Sequence, residues 1–265
     1  IPIVIVNARI SERSFRRYQI IKFLVNPVLA KISLFCCQAA VDAERLIALG
    51  APEANIQVTG NMKFDNIKIS EGYINYKERI GLAPSDKLFV AGSTHSGEEE
   101  IILGAYKELV KKYPSLKLLI APRHPERSKE VGRLVSSRGF SAAFISESYK
   151  ATNAVFILDT IGELTSFYSI ADIVFVGASL VKKGGHNILE PAALGRPILS
   201  GPYMFNFRDI KDAFLKRNAL MLVHNQNELQ EKVKFLLDSP QEANGFTLRA
   251  KEIIFSNQGA TKRNL

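Results

Sequence analysis

GGHNILEPAALGRPILSGP, residues 184–202, is the stretch whose reading decides the fold. Two glycines, a His and an Asn precede a segment, Ile188 to Leu194, that reads as a short helix carrying one carboxylate, Glu190. Gly195 stops this helix, and Pro197 starts a buried strand through Ile198 and Leu199. Gly184 and Gly185 let a backbone come close to a bound group. The N–H groups at the helix start favour negative charge, and Glu190 can accept hydrogen bonds from a pair of sugar hydroxyls. The same letters fit an ordinary strand–loop–helix turn with a glycine hinge, because short glycine motifs recur by chance. Comparable loops elsewhere in the chain decide between the two readings.

Working outward, apolar runs at Leu88–Ala91, Lys117–Ala121, about Phe140–Ile145, Val155–Leu158 and Ala171–Val176 alternate with helical segments and show no hairpin signals. That alternation indicates an α/β unit with parallel strands. Four strand ends carry polar, glycine-bearing or basic turns: GSTHSGEEE (92–100), PRHPER (122–127), DTIGEL (159–164) and GASLVKKGGHN (177–187). Parallel strands deliver all four to one sheet edge, where their polar groups can converge on one ligand. Gly92, Ser93 and Thr94 form a small hydroxyl-bearing turn, and Glu98 to Glu100 suit the positive first turn of the helix that follows. His95, His124 and His186 lie in these loops, but their spacings match no local zinc motif and no carboxylate or Cys pair completes a ligand set. GxxxxGK[ST] and GxSxG are absent, which argues against a nucleotide-triphosphate hydrolase and an α/β-hydrolase.

The amino-terminal part repeats the alternation. Residues 1–6 read as a strand, NARISERSFRR (7–17) leads into a helix, Ser33–Cys37 is a second strand, a helix runs from about Ala39 to Leu49, and Ile56–Thr59 is a third strand. GNMKFD (60–65) then places Lys63 at the carboxyl edge, where a cation can meet an anion. Arg9, Arg13, Arg16 and Arg17, with Lys22, form the densest basic cluster, either a solvated helix face or a dock for phosphate or carboxylate. Apolar periodicity is lost from Asn66 to Asp86. The expected division is therefore 1–65, a linker 66–86, and a second domain 87–265, which helices near Phe207–Lys216, Glu228–Leu237 and Gln241–Phe255 complete.

The 265 residues carry a net charge of +9, which admits nucleic acid, an anionic membrane surface or an anionic small substrate. The excess is spread along the chain, without the dense basic blocks and interleaved aromatics of a nucleic-acid groove. No apolar run is long enough for a membrane helix. Cys36 and Cys37 are adjacent in an apolar run, where a disulfide between neighbours is strained, and they read as buried thiols of a reducing compartment. The opening in mid-strand without Met reads as a fragment whose upstream part is missing.

NARISERS (7–14), GNMKFD (60–65), GSTHSGEEE (92–100), APRHPER (121–127), DTIGEL (159–164) and GGHNILEPAALGRP (184–197), in this order, resemble the lipid A 3-deoxy-D-manno-octulosonic acid (Kdo) transferases of lipopolysaccharide synthesis. The resemblance implies the α/β GT-B glycosyltransferase architecture, two Rossmann-like domains facing a cleft. Here that means a donor domain plus the remaining part of an acceptor domain. It implies transfer of Kdo from CMP-Kdo to a lipid A precursor without a cofactor or bound metal, at the cytoplasmic face of a bacterial inner membrane. Pro122, Arg123 and His124 match the family's nucleotide-binding turn, and Gly162, Glu163 and Leu164 with Asn187, Ile188, Leu189 and Glu190 match its other CMP contacts. Ser93 and Thr94 join the donor set, and Lys63 matches the lysine credited with stabilising transition-state charge. Arg9, Arg13, Arg16 and Arg17 are expected to face the acceptor or an anionic membrane. The family's general base has no counterpart here, so this polypeptide is expected to bind CMP without turnover. The competing readings are a GT-B nucleotide-sugar epimerase acting on UDP-sugars and a basic nucleic-acid-binding module. Nucleic acid is not the expected partner.

Overall fold

The computed structural model describes residues 1–65, 76–147 and 154–265. The chain divides into two compact units, one of Ile1–Ile67 with Ile254–Leu265 and one of Lys68–Ile253.

The first unit holds a three-stranded parallel sheet, β1 (Val4–Ala8), β2 (Leu34–Cys37) and β3 (Ile56–Val58), in that spatial order. Helices α1 (Glu12–Ile20) and α2 (Lys22–Leu29) connect β1 to β2, and α3 (Ala40–Leu49) connects β2 to β3. Ser11 caps α1 by accepting the Ser14 N–H at 3.2 Å, so the helix begins within the 7–17 stretch that leads into it. The sequence reading did not anticipate α2, because Pro27 lies inside it and interrupts the pattern. Gly50, at φ 106°, ends α3 in the left-handed region. Phe35, Cys37, Ile32 and Leu46 pack the core of this unit. Both cysteines are free and buried. Burial first, then the charges of Asp42 and Cys36, pushes the Cys37 thiol up to about 11.

The second unit begins, among the described residues, with α4 (Tyr76–Arg79) and continues as β4 (Lys87–Thr94), α5 (Glu98–Lys112), β5 (Leu116–Pro122), α6 (Ser128–Ser137), β6 (Ser141–Phe144) and β7 (Ala154–Ile157). It goes on through α7 (Leu164–Ile170), β8 (Ile173–Val176), α8 (Leu189–Ala193), β9 (Ile198–Ser200), α9 (Arg208–Lys216), β10 (Met221–Leu222), α10 (Gln226–Asp238) and α11 (Pro240–Asn257). Seven strands form one parallel sheet in the order β10-β9-β8-β4-β5-β7-β6. Leu88–Ala91 and Ile173–Val176 are buried throughout, as expected of central parallel strands covered on both faces. From β4 the chain builds outward to β5, β6 and β7, then crosses back to β8 on the other flank of β4. The chain therefore leaves β4 and β8 toward opposite flanks, which makes the carboxyl edge between them the switch point, the crevice where ligands of such sheets bind.

Two boundaries differ from the sequence reading. Within the expected linker 66–86, residues 66–75 lie outside the described residues, while 76–86 are bound into the second unit. There Tyr76 stands edge-on to Phe167 at 5.1 Å, Ile80 is buried, and Asp86 lies 3.9 Å from Lys117. Residues 254–265, expected in the second domain, belong to the first unit. Asp65 accepts the N–H groups of Gly259 and Thr261, both at 2.6 Å, at the start of α12 (Ala260–Asn264), and Arg263 Nε donates to the Thr59 carbonyl at 2.7 Å.

Candidate functional site

The crevice between β4 and β8 is held together by acids that the sequence placed only at a helix start. Glu98 is fully buried, and its carboxylate accepts four backbone N–H groups: His95 and Ala178 on Oε2 at 2.9 and 2.7 Å, Ser179 and Leu180 on Oε1 at 2.9 Å each. One side chain thus ties the turn after β4 to the loop after β8. Gly177 allows the close approach, since a Cβ there would stand 2.4 Å from the Ser93 carbonyl oxygen. Glu99 fixes the neighbouring turn by accepting from Thr94 Oγ1 and from Arg127, both at 2.9 Å, and burial raises its carboxyl above the ordinary range.

Ser93, Thr94, Pro122, Arg123 and His124 lie on the turns beside this clamp. Ser93 has φ 56° and Thr94 is fully buried. Thr94 pairs with Pro122 across the sheet, and the Arg123 N–H donates to the Thr94 carbonyl at 2.9 Å. Arg123 and His124 are exposed beyond that pairing. The His95 ring lies 5.8 Å from that of His124 and 5.5 Å from that of His186, with the two Nε2 atoms of His95 and His186 3.3 Å apart.

The glycine-rich loop is built differently from the expectation. Gly184 (φ 103°) and Gly185 (φ 76°) are required by the backbone and by close packing, since a Cβ at either would collide with the Asn206 or Met204 side chain. The space they open is thus filled by the protein itself. Ile188 and Leu189 are fully buried, so their side chains belong to the core and only their backbone is left for a ligand. Asn187 accepts the Leu189 N–H and donates from Nδ2 to Glu190 Oε1, both at 3.1 Å, while Thr165 Oγ1 donates to Oε2 at 3.2 Å. Glu190 is therefore a positioned, half-buried acceptor. Gly162 is exposed with φ 90°. The Glu163 carboxylate bonds to Arg79 and Thr160, and these contacts hold it below its ordinary range against the upward push of burial. What Glu163 and Leu164 can offer a ligand is chiefly backbone at the start of α7.

A separate cavity of about 430 Å³, beside Pro125, is lined by Glu126, Glu147 and Asp159 together with Lys129, Ser128 and Ser146, a lining in which acids outnumber the one cation. Among the described residues no group of three His, Cys, Asp or Glu side chains could hold a metal ion.

In the first unit Lys63 lines a cavity of about 620 Å³ with Asn7, Met62, Asp65 and Thr261. The Asn7 side chain accepts the Met62 N–H at 3.1 Å, and Asn61 accepts the Lys63 N–H at 3.0 Å, which sets the turn carrying Lys63. Of the four clustered arginines, Arg16 is paired with Glu12 at 2.9 Å, and Arg45 holds the other Glu12 oxygen at 2.6 Å. Arg9, Arg13 and Arg17 are exposed. Ile20, at the end of α1, and Phe23, Leu24 and Val28, on α2, are exposed as well. Among the described residues no helix is long and apolar enough to cross a membrane.

Residues 1–66 match the family described as 3-deoxy-D-manno-octulosonic-acid transferase (kdotransferase), and residues 88–253 match glycosyl transferases group 1. The 3-deoxy-D-manno-octulosonic acid transferase of Haemophilus influenzae is 37% identical over the whole chain and 63% of its own length. That of Chlamydophila psittaci is 33% identical over 98% of this chain and 60% of its own length. The chain thus spans less than two thirds of these relatives. Among solved structures, the C-terminal CMP-Kdo binding domain of WaaA from Acinetobacter baumannii superposes with TM-score 0.63 at 30% identity, covering 67% of this chain and 93% of that domain. HepE from Anabaena in complex with UDP and glucose gives TM-score 0.56 at 15% identity over 99% of this chain and 69% of that one, a likeness of fold alone. The same holds for a UDP-N-acetylglucosamine 2-epimerase, TM-score 0.57 at 15% identity, covering 86% of this chain and 57% of that one.

Proposed function

Because the chain belongs to the 3-deoxy-D-manno-octulosonic acid transferase family within the group 1 glycosyltransferases, we propose that it forms the donor-binding part of an enzyme transferring Kdo from CMP-Kdo to a lipid A precursor. Its fold is the GT-B-like pairing of two Rossmann-type α/β domains. The observation that carries the proposal is the crevice between β4 and β8. An oriented carboxylate, Glu190, follows the loop after β8, and an exposed guanidinium, Arg123, in the turn after β5, acts electrostatically on His186 of that same loop. Glu190 accepts from the ribose hydroxyls, Arg123 faces the phosphate, and the backbone of Gly162–Leu164 and Ile188–Leu189 borders the nucleoside.

When the bond from the sugar to the phosphate breaks, the electron pair stays on the phosphate oxygen. Fixed cations and N–H donors that meet this growing charge lower the barrier. Arg123 supplies that in the donor site. The exposed Arg9, Arg13 and Arg17, beside the apolar Ile20, Phe23 and Leu24, give an amphipathic face of the kind that lies on anionic membranes, in keeping with action at an inner-membrane surface.

Titration calorimetry with CMP and UDP tests the reading. CMP is expected to bind and UDP to bind more weakly. UDP binding as tight as or tighter than CMP would transfer the site to the UDP-sugar epimerase reading.

A further inference from the structure

The two histidines at the switch point share a geometry that the donor assignment does not use. Their Nε2 atoms are 3.3 Å apart, their ring planes differ by 11°, and their ring centres are 5.5 Å apart. The centre-to-centre distance exceeds the N···N distance by nearly two ring radii, so the imidazoles meet tip to tip and not face over face. Facing lone pairs suit one N–H···N hydrogen bond. Joint ligation of a metal would instead aim both at a third point. A single proton between the nitrogens sets opposite tautomers. The donor ring is protonated at Nε2, and the acceptor ring keeps its proton on Nδ1. The pair therefore presents one Nδ1–H and one bare Nδ1, neither with a hydrogen-bond partner among the described residues.

The charge around the pair is one-sided. Arg123 and His124 reach it from the turn after β5, Arg127 from the next turn, and Lys183 from the loop after β8. Glu98, beside His95, gives both oxygens to four amides, Glu99 and Glu130 are paired with Arg127, and Glu126 lies 3.6 Å from His124. Arg123 and Lys183 have no acidic partner among the described residues. We propose that His95 and His186, with Arg123 and Lys183, form an anion seat that takes the phosphate of the bound nucleotide, the pair donating Nδ1–H to it and, at acid pH, gaining a proton as it binds. The nucleotide part rests on the donor-site reading above.

With no anion present, burial first, then Arg123, His95 and His124, pushes His186 down to about 4. Burial, followed by His124, Lys183, Arg127 and Arg123, lowers His95. An anion seated among these cations offsets their repulsion and raises the titration of the pair. Affinity for the anion therefore strengthens as pH falls from the anion-bound titration point toward 4, and is constant above that window.

The test follows the imidazole ¹H and ¹⁵N signals of His95 and His186 in the full chain, titrated downward from about pH 8, in sodium sulfate and in sodium chloride of equal ionic strength. Sulfate should move the titration of the pair upward by about one unit, equivalent to about tenfold tighter binding at the acid end, and Arg123→Gln should remove most of the shift. A titration that sulfate leaves in place overturns the proposal. A second arm compares the methyl ester of CMP, a diester that does not titrate in this range, with cytidine. His186→Asn should weaken the ester about tenfold and leave cytidine unchanged. Equal losses for both mean that the pair only holds the loops, and the proposal falls. If sulfate shifts the pair but neither nucleoside binds the wild type, the anion seat stands and the donor reading fails.

Discussion

Replacing Glu98 by Gln tests how much the clamp at the crevice contributes. Each carboxylate oxygen accepts two backbone N–H groups, so the amide of Gln, in either flip, turns an NH₂ toward two donors that had an acceptor. Two hydrogen bonds are lost and two buried N–H groups are left unsatisfied, each costing about 1–3 kcal/mol. Relaxation of the 177–180 loop recovers part of this, which leaves about 2–4 kcal/mol, a large share of an ordinary domain's stability of about 5–15 kcal/mol. For a unit of this size that lowers the melting temperature by about 5–15 °C. Glu98→Ala removes all four acceptor contacts and should be worse, if it folds. Thermal and urea unfolding of the Gln variant measure the loss, with the exposed Glu126→Gln as control. A Gln variant within about 0.5 kcal/mol of wild type, the range of ordinary surface substitutions, would refute the clamp.

Glu190→Gln should weaken CMP binding by about 1.5–3 kcal/mol, the range for a hydrogen bond to a charged group, with little effect on melting; unchanged calorimetric affinity would remove Glu190 from the site. The Asp65 carboxyl is held below its ordinary value because the amides of Thr261 and Gly259 outweigh the upward push of burial. Its contribution is therefore complete above the unfolded pKa of about 3.9 and is lost as pH falls through the lower folded value. Asp65→Asn at neutral pH should loosen residues 258–265, read as faster carboxypeptidase trimming than in the wild type. The Cys37 thiol, raised to about 11, should react with iodoacetamide at mildly alkaline pH at least about a hundredfold more slowly in the folded chain than in urea. Neutralising Arg9, Arg13, Arg16 and Arg17 together should weaken co-sedimentation with anionic vesicles at least tenfold, at about 1 kcal/mol per basic residue, and leave CMP binding intact; the reverse pattern would exchange the two basic sites.

The parallel sheet was legible because its strands are continuous apolar runs and no hairpin turn separates them. From that the common edge for the turns at Ser93, Arg123, Gly162 and His186 followed by topology. Local letters could not reveal contacts made across long sequence separations. Glu98 looks like any acid at a helix start, and only folding brings Ala178, Ser179 and Leu180 to its oxygens. Ile188 and Leu189 stand within a motif matched as a whole, yet helical geometry turns their side chains into the core while Asn187 and Glu190 remain available. The helix Lys22–Leu29 was hidden by Pro27, whose φ fits a helix even though its missing N–H breaks the pattern. The capture of residues 254–265 by the first unit depends on Asp65 and Thr59, about two hundred positions upstream, and no periodicity carries that information.

That capture also sets an order of events during synthesis. Domains fold largely as units while the chain emerges, amino-terminal parts first. Here the contiguous unit, residues 68–253, has all its residues made before residues 254–265, which the preceding unit needs, have emerged. When Asp65 and the Thr59 carbonyl leave the ribosome, the groups that will claim them have not been made, and water holds their places until Gly259, Thr261 and Arg263 arrive. The sheet of β1, β2 and β3, made before the second unit, is thus finished after it. A substitution that disturbs Gly259, Thr261 or Arg263 would therefore burden the first unit, to which Asp65 and Thr59 belong, more than the second.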